Sequence, residues 1–279
     1  MRARLVLWMV VITALLTPVL WMASGSLMDL LTLWSHPPRL IPLRPTLENY
    51  ERLLSARGSA GGQLWQLGGP LLVPRWSLNT FSLTVVTTLA SVLITAAAGY
   101  ALPRGALYTL VAASLIVPGG ALLIPLFRVV RALGIQGTLL AAALPHMYWP
   151  LGILLYHAYL SSFPTMYLDA ARLDGASEGT VVVRILLPMT APALGAMALL
   201  KALEILGDFV WQFLQLTRPG SHTLLVGLVR LSKESASYGL PNPAGAQMAA
   251  GMLALVPVVV VFLVLRRYLA NDIPTGGIR

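Results

Sequence analysis

Apolar residues in this chain gather into long uncharged runs: Leu5 to Met28, Trp76 to Pro103, Gly105 to Phe127, Ala132 to Leu168 and Ser235 to Leu265. Each exceeds the roughly 20 residues a helix needs to cross a bilayer. A sixth apolar run, about Ala191 to Leu216, differs in carrying charges. The alternation that marks a strand is lacking, and in hydrocarbon every backbone donor and acceptor must be paired internally. A helical bundle is therefore predicted over a barrel. The predicted spans are about 5–23, 78–101, 107–129, 138–160, 191–212 and 247–268. They leave a first loop at 24–76 and a more polar one at 161–190.

Composition strengthens that reading. Of 279 residues, 57% are hydrophobic and only 10% charged, and the mean hydropathy is +0.78, well above a soluble domain. The start, Met-Arg-Ala-Arg before an apolar run and Ala23-Ser24-Gly25-Ser26, has features of a secretory signal. Its apolar core is too long for one, and more spans follow, so a first membrane helix is expected. No cysteine occurs, which excludes disulfides and thiolate metal sites. The net charge of +9 comes with no basic helix face or aromatic-basic cluster, so nucleic acid is not an expected partner. Contact with anionic lipid is the milder expectation.

Proline and glycine punctuate the pattern. Pro37-Pro38, Pro42, Pro45 and the Gly58 to Gly69 stretch predict an irregular first loop, with one short helix over Pro45 to Leu54. Pro118-Gly119-Gly120 and Pro125 interrupt the third span, and Pro145 and Pro150 the fourth. Each proline removes an intrahelical bond and bends the rod.

Residues 169 to 188 read Asp-Ala-Ala-Arg-Leu-Asp-Gly-Ala-Ser-Glu-Gly-Thr-Val-Val-Val-Arg-Ile-Leu-Leu-Pro. Good helix formers from Thr165 to Asp174 end at Gly175, a suitable carboxy-terminal cap. Ser177 can cap a second helix, with Glu178 in its first turn, that runs to Pro188. Two short helices meeting at a glycine corner are predicted. Ala170 and Ala171 give the first a slim face, and Asp169, Arg172 and Asp174 offer charges at its rim.

An acidic residue, Ala-Ala, three residues, Gly, nine residues and Ile-x-Leu-Pro resembles the cytoplasmic loop signature of the permease subunits of ATP-driven importers. Asp169 stands where Glu is usual. Asn79-Thr80, Gly99-Tyr100-Ala101-Leu102, Ile124-Pro125-Leu126, Leu133-Gly134-Ile135 with Thr138, and Ile273-Pro274-Thr275-Gly276-Gly277 resemble the same family. Their order is most similar to the carbohydrate-uptake group, in the type that includes the smaller permease of the maltose transporter.

The resemblance implies an all-α integral membrane protein, the six-helix transmembrane domain of a type I ABC importer. It implies a prokaryotic inner membrane, with both termini cytoplasmic. It also implies a second homologous permease, two ATPase subunits that bind ATP and Mg, an extracytoplasmic substrate-binding protein and a sugar cargo. The ATPase-coupling positions carried over are Asp169, Ala170, Ala171, Arg172, Asp174, Gly175, Ala176, Ile185, Leu187 and Pro188. The chain would hold no cofactor and hydrolyse nothing, and its sequence contains no phosphate-loop motif. Charge alone does not choose the orientation: with the amino terminus inside, Arg128 and Arg131 fall outside, against the usual bias.

On the fifth span Lys201, Glu204 and Asp208 fall at i, i+3 and i+7, hence on one helix face. Mutual neutralisation and a wet translocation path both account for them. Asp208, Phe209 and Trp211 lie where related sugar permeases read Trp-Asn-Glu-Phe-Leu-Trp, although Leu206 and Gly207 depart from that string, and Gln212 beside Trp211 could bond a sugar hydroxyl. Glu204, Asp208, Phe209, Trp211 and Gln212 are the substrate-path candidates; Trp211, Trp149 and Tyr148 fit an interfacial aromatic belt equally well. His146 and His157, with no acidic neighbour in sequence, are expected to pair helices rather than hold a metal. The residues leave other readings open: a polyamine, peptide or glycerol phosphate cargo, a proton-coupled transporter using Lys201 and Glu204, or an intramembrane enzyme using Glu204 and Asp208.

Overall fold

A computed structural model describes residues 2–36, 39–55, 72–103, 105–164, 166–233 and 242–270. The Gly58 to Gly69 stretch, Pro37-Pro38, Arg104, Thr165 and the Ile273 to Gly277 tail lie outside the described residues. Among the described residues there is no strand. Three helices are long and apolar enough to cross a membrane alone, over Val6–Ser26, Val73–Ala101 and Pro243–Val264. Counting three bent helix pairs as one span each raises the number to six.

The chain forms two compact units. The first comprises Met1–Thr80 and Leu216–Pro257. It contains α1 (Arg2–Ser26), α2 (Leu30–Leu33), α3 (Glu48–Ser55), the start of α4 (Leu72–Ala101), α14 (Leu224–Lys233) and most of α15 (Pro243–Ala270). The short loop helix predicted at Pro45 to Leu54 begins three residues later, at Glu48, whose amide is capped by Thr46 Oγ1 at 3.1 Å. Leu53, Val73, Trp76, Leu224, Leu228, Ala246, Ala249 and Ala250 make the core of this unit.

Buried amides replace apolar grip where helices end. Asn49 Nδ2 donates to Ser26 O and Met28 O, and Asn242 Nδ2 also reaches Met28 O, all at 2.9 Å. These bonds satisfy carbonyls that the end of α1 leaves without intrahelical donors. Trp76 Nε1 donates to Pro219 O at 2.8 Å, and Asn79 Nδ2 to Gly220 O and His222 O. Thr80 Oγ1 accepts from the Leu224 amide at 2.7 Å. The Asn79-Thr80 pair thus caps the turn into α14.

The second unit comprises Phe81–Gln215 and Val258–Arg279. It holds the rest of α4, then α5 (Ala106–Ser114), α6 (Gly119–Ala132), α7 (Leu139–Met147), α8 (Pro150–Ser161), α9 (Met166–Leu173), α10 (Glu178–Thr180), a π-helical turn (Val181–Leu186), α11 (Leu187–Met189), α12 (Ala191–Gly207) and α13 (Phe209–Gln215). At Pro118-Gly119 the third predicted span bends by 97° between α5 and α6, and at Trp149-Pro150 the fourth bends by 41°. The punctuating residues decide these bends, because proline supplies no amide to the preceding turn. Pro125 and Pro145 sit inside α6 and α7.

The fifth predicted span is not one rod. It breaks at Asp208, whose Oδ1 accepts from the Trp211 amide at 3.2 Å and starts α13. Gly207 and Asp208 favour that break, since one is a poor helix former and the other bonds local backbone.

Gly99 lets α4 and α8 approach closely. A Cβ there would stand 2.9 Å from Tyr156 Cδ1 and 3.1 Å from Ile153 O. His157 Nδ1 lies 3.1 Å from Gly99 O, which makes it a helix-pairing histidine. One face of α4 also buries Thr84, Thr87, Thr88, Ser91 and Thr95, small residues of the kind that let membrane helices pack tightly.

Candidate functional site

Two places in the second unit concentrate polar chemistry. The first is the 161–190 segment. α9 stops at Leu173 because Gly175 takes a positive φ of 80°. The Gly175 amide then bonds Arg172 O and the Ala176 amide bonds Ala171 O, both at 3.0 Å, which is a Schellman closure. Ser177 Oγ accepts from the Thr180 amide at 3.3 Å and opens α10. The second helix then widens into a π turn before Pro188. A regular α-helix would press the Pro188 ring against the Arg184 carbonyl, and the wider turn relieves that conflict.

α9 divides into two faces. Leu168 packs on Val181 and Leu186, with Ala171, Ala176 and Ile185 against that cluster. Met166, Tyr167, Asp169, Ala170 and Asp174 face outward, and Leu173 is 89% exposed. Of the carried-over positions, Ala171, Ala176 and Ile185 thus build the corner, while Asp169, Ala170 and Asp174 form its outer surface. Leu187 is half-buried and Pro188 exposed.

Arg172 is a tie rather than a free rim charge. Its Nε donates to Glu178 Oε1 at 2.8 Å, Nη1 to Asp169 Oδ1 at 3.1 Å, and Nη2 to the Tyr100 hydroxyl at 3.0 Å. Tyr100 in turn donates to Glu178 Oε2 at 2.7 Å. α9, α10 and the end of α4 therefore share one hydrogen-bond network. Arg172, with help from Tyr100, holds the Glu178 carboxyl below its usual range, and the same carboxylate raises the affinity of Arg172 for its proton. Tyr100 was legible only as part of a resemblance; its 78-residue separation from Glu178 hides the contact from local pattern.

The second place gathers charge from α7, α12 and the break before α13. Lys201 is 1% exposed, donates to Glu204 Oε1 at 2.9 Å and lies 5.5 Å from the centre of the Trp149 ring. His146 Nε2 is 2.7 Å from Asp208 Oδ2, and its Nδ1 is 3.4 Å from Glu204 Oε1. The pairing of Lys201 with Glu204, one of the two readings their spacing allowed, is present. The position of His146 between two carboxylates is not readable from its own helix, because both partners arrive from more than 50 residues away in sequence. Among the described residues no His, Asp or Glu grouping fits a metal ion.

The other candidates are placed differently. Glu204 keeps 46% of its side chain exposed, and Phe209 is half-buried against Phe213, with ring centres 5.2 Å apart. Trp211 is 4% exposed, and its Nε1 donates to Ala141 O at 3.1 Å. Gln212 Nε2 donates to Ile205 O at 2.6 Å. Gln212 secures the α12–α13 corner, Trp211 ties α13 to α7, and the cluster's open edge belongs to Glu204.

Comparison with known proteins gives this geometry a context. The profile of the family described as binding-protein-dependent transport system inner membrane component matches residues 91–273. An arabinooligosaccharides transport system permease from Halalkalibacterium halodurans is 30% identical over 210 residues, covering 73% of this chain and 74% of that protein. A trehalose/maltose transport system permease from Thermococcus litoralis is 28% identical over 272 residues, 95% of this chain and 91% of the other. The fold is similar to a chain of a bacterial ABC transporter involved in import of the acidic polysaccharide alginate. The TM-score is 0.77 at 21% identity, and 95% of each chain is covered. The chain is an all-α permease subunit, a transport component rather than an enzyme, and it belongs to the family of binding-protein-dependent transport system inner membrane components.

Proposed function

We propose that this chain forms half of the translocation pore of an ATP-driven carbohydrate importer, beside a second homologous permease. Two ATPase subunits carrying ATP and Mg dock on its cytoplasmic side, and an extracytoplasmic binding protein delivers the sugar. Its six spans are those read from the sequence, with α5 and α6, and α7 and α8, each serving as one bent span, the segment before α12 staying cytoplasmic, and both termini inside. The carbohydrate cargo is supported by relatives named for arabinooligosaccharides and for trehalose and maltose.

The observation that carries the coupling role is the outward face of α9. An isolated helix end that exposes Met166, Tyr167 and Leu173 to water gains nothing from them, whereas a partner groove would bury all three. Asp169, Ala170 and Asp174 complete that surface. Movement of α9 is passed on through Arg172, Glu178 and Tyr100 to α4, and through Ala171, Gly175, Ala176, Ile185, Leu187 and Pro188 to α12. Glu204 and Asp208 border the substrate path with Phe209, and Trp211 and Gln212 hold its corner in place.

The test is Leu173→Asp in the assembled importer. The expected result is loss of ATPase copurification and of ATP-driven sugar uptake, with the permease pair still intact. Undiminished uptake would sink the coupling assignment.

A further inference from the structure

Arg128 and Arg131 serve neither the coupling segment nor the buried cluster, and they run against the charge bias of the predicted orientation. Both are exposed on α6, and neither side chain forms an ion pair or hydrogen bond among the described residues. An open groove of about 410 Å³ is lined by Leu123, Ile124, Phe127, Arg128, Arg131 and Leu214. Ile124, Phe127, Arg128 and Arg131 fall at i, i+3, i+4 and i+7, so they share one helix face. That face is ordered: apolar toward the start of α6 and cationic toward its end, the two extremes roughly 10 Å apart along the axis.

Helix stability does not account for this pattern. Arg131 lies in the last turn, where a cation complements the helix dipole, but Arg128 sits a turn earlier. At 14 residues, bent 97° from α5, α6 is too short to cross a bilayer alone. Its exposed Leu122, Ile124, Val129 and Leu133 nonetheless belong in an apolar medium. Its cationic end suits the boundary between acyl chains and headgroups, where the third span reaches the membrane surface.

We propose that the groove binds one acidic phospholipid, its acyl chain along Leu123, Ile124, Phe127 and Leu214 and its phosphate between Arg128 and Arg131. Two guanidinium forks match phosphate oxygens closely. A free anion would use the arginines and leave the apolar wall uncovered, whereas a lipid satisfies both. This site goes beyond the importer reading and depends on the membrane, not on the cargo.

The experiment is native mass spectrometry of the purified importer, with phosphatidylglycerol or phosphatidylcholine added to the detergent. The intact complex is expected to retain phosphatidylglycerol in preference to phosphatidylcholine. Arg128→Gln with Arg131→Gln should weaken retention about 25-fold, roughly fivefold for each arginine near a charged lipid surface. Ile124→Trp, which fills the apolar part and keeps both charges, should also reduce it. Equal retention of the two lipids, or unchanged phosphatidylglycerol retention in the double variant, overturns the proposal. So does displacement of the lipid by millimolar glycerol phosphate that is insensitive to Ile124→Trp, which would mark a simple anion site. Loss of the partner permease from the Ile124→Trp complex with lipid retention unchanged also overturns it, by assigning the face to that subunit.

Discussion

Glu204→Gln should be far more damaging than Lys201→Met, although the two changes dismantle the same pair. Lys201 is almost fully buried, and Glu204 Oε1 is the carboxylate oxygen within hydrogen-bond reach of its ammonium, at 2.9 Å. At an effective dielectric near 20, Coulomb attraction at that distance is about 6 kcal/mol. Glu204 is half exposed, so much of this is screened, but Lys201 has no water to return to. Leaving a buried charge unpaired costs about 3–5 kcal/mol, and the screening puts the expected loss near the lower end. Removing Lys201 instead leaves a carboxylate that is already half hydrated and still faces His146, at a cost of about 1 kcal/mol from lost packing and the Trp149 contact. The double variant should behave like Lys201→Met, a coupling of roughly 3 kcal/mol. At about 2–3 °C for each kcal/mol in a chain of this size, Glu204→Gln should lower the melting point by about 6–9 °C. Size-exclusion chromatography of fluorescently tagged, heat-stepped samples reads this directly. Equal losses in the two single variants, or simple additivity in the double, would refute the reasoning.

Gly175 occupies left-handed backbone with nothing within 4 Å of where a Cβ would stand. Gly175→Val should therefore cost only the backbone penalty, about 1–2 kcal/mol, with Gly175→Asn milder; hydrogen exchange across α9 should rank valine above asparagine above wild type, and equal rates would exclude the strain. The pKa of the Glu178 carboxyl, lowered by Arg172 and Tyr100, makes the corner acid-sensitive. Its folded value lies below the usual 4.5, so its contribution is complete above that value and is lost as pH falls through the lower folded one. A spin label at Ala170→Cys should stay immobile from pH 7 to 5 and loosen only in stronger acid, and Glu178→Gln should remove that dependence.

The glycine corner was legible because every determinant is local. Gly175 supplies the positive φ, Ser177 the cap, and Pro188 the strain beside the π turn, all within the run that also carries the resemblance. The break at Asp208 could have been read from Gly207-Asp208, yet the apolar run around it masks a short polar step. The partners of His146 and Tyr100 were not legible at all.

By itself, then, the sequence determined a helical membrane chain, two of the places where its rods bend, at Pro118-Gly119 and Pro150, and a two-helix corner, since hydropathy, proline geometry and capping act over one or a few turns. Only the tertiary structure decided which charges meet. His146 reaches Asp208 and Glu204, and Arg172 links Glu178 to Tyr100, because helices distant in sequence pack side by side, and a buried charge takes its partner from whichever helix lies next to it.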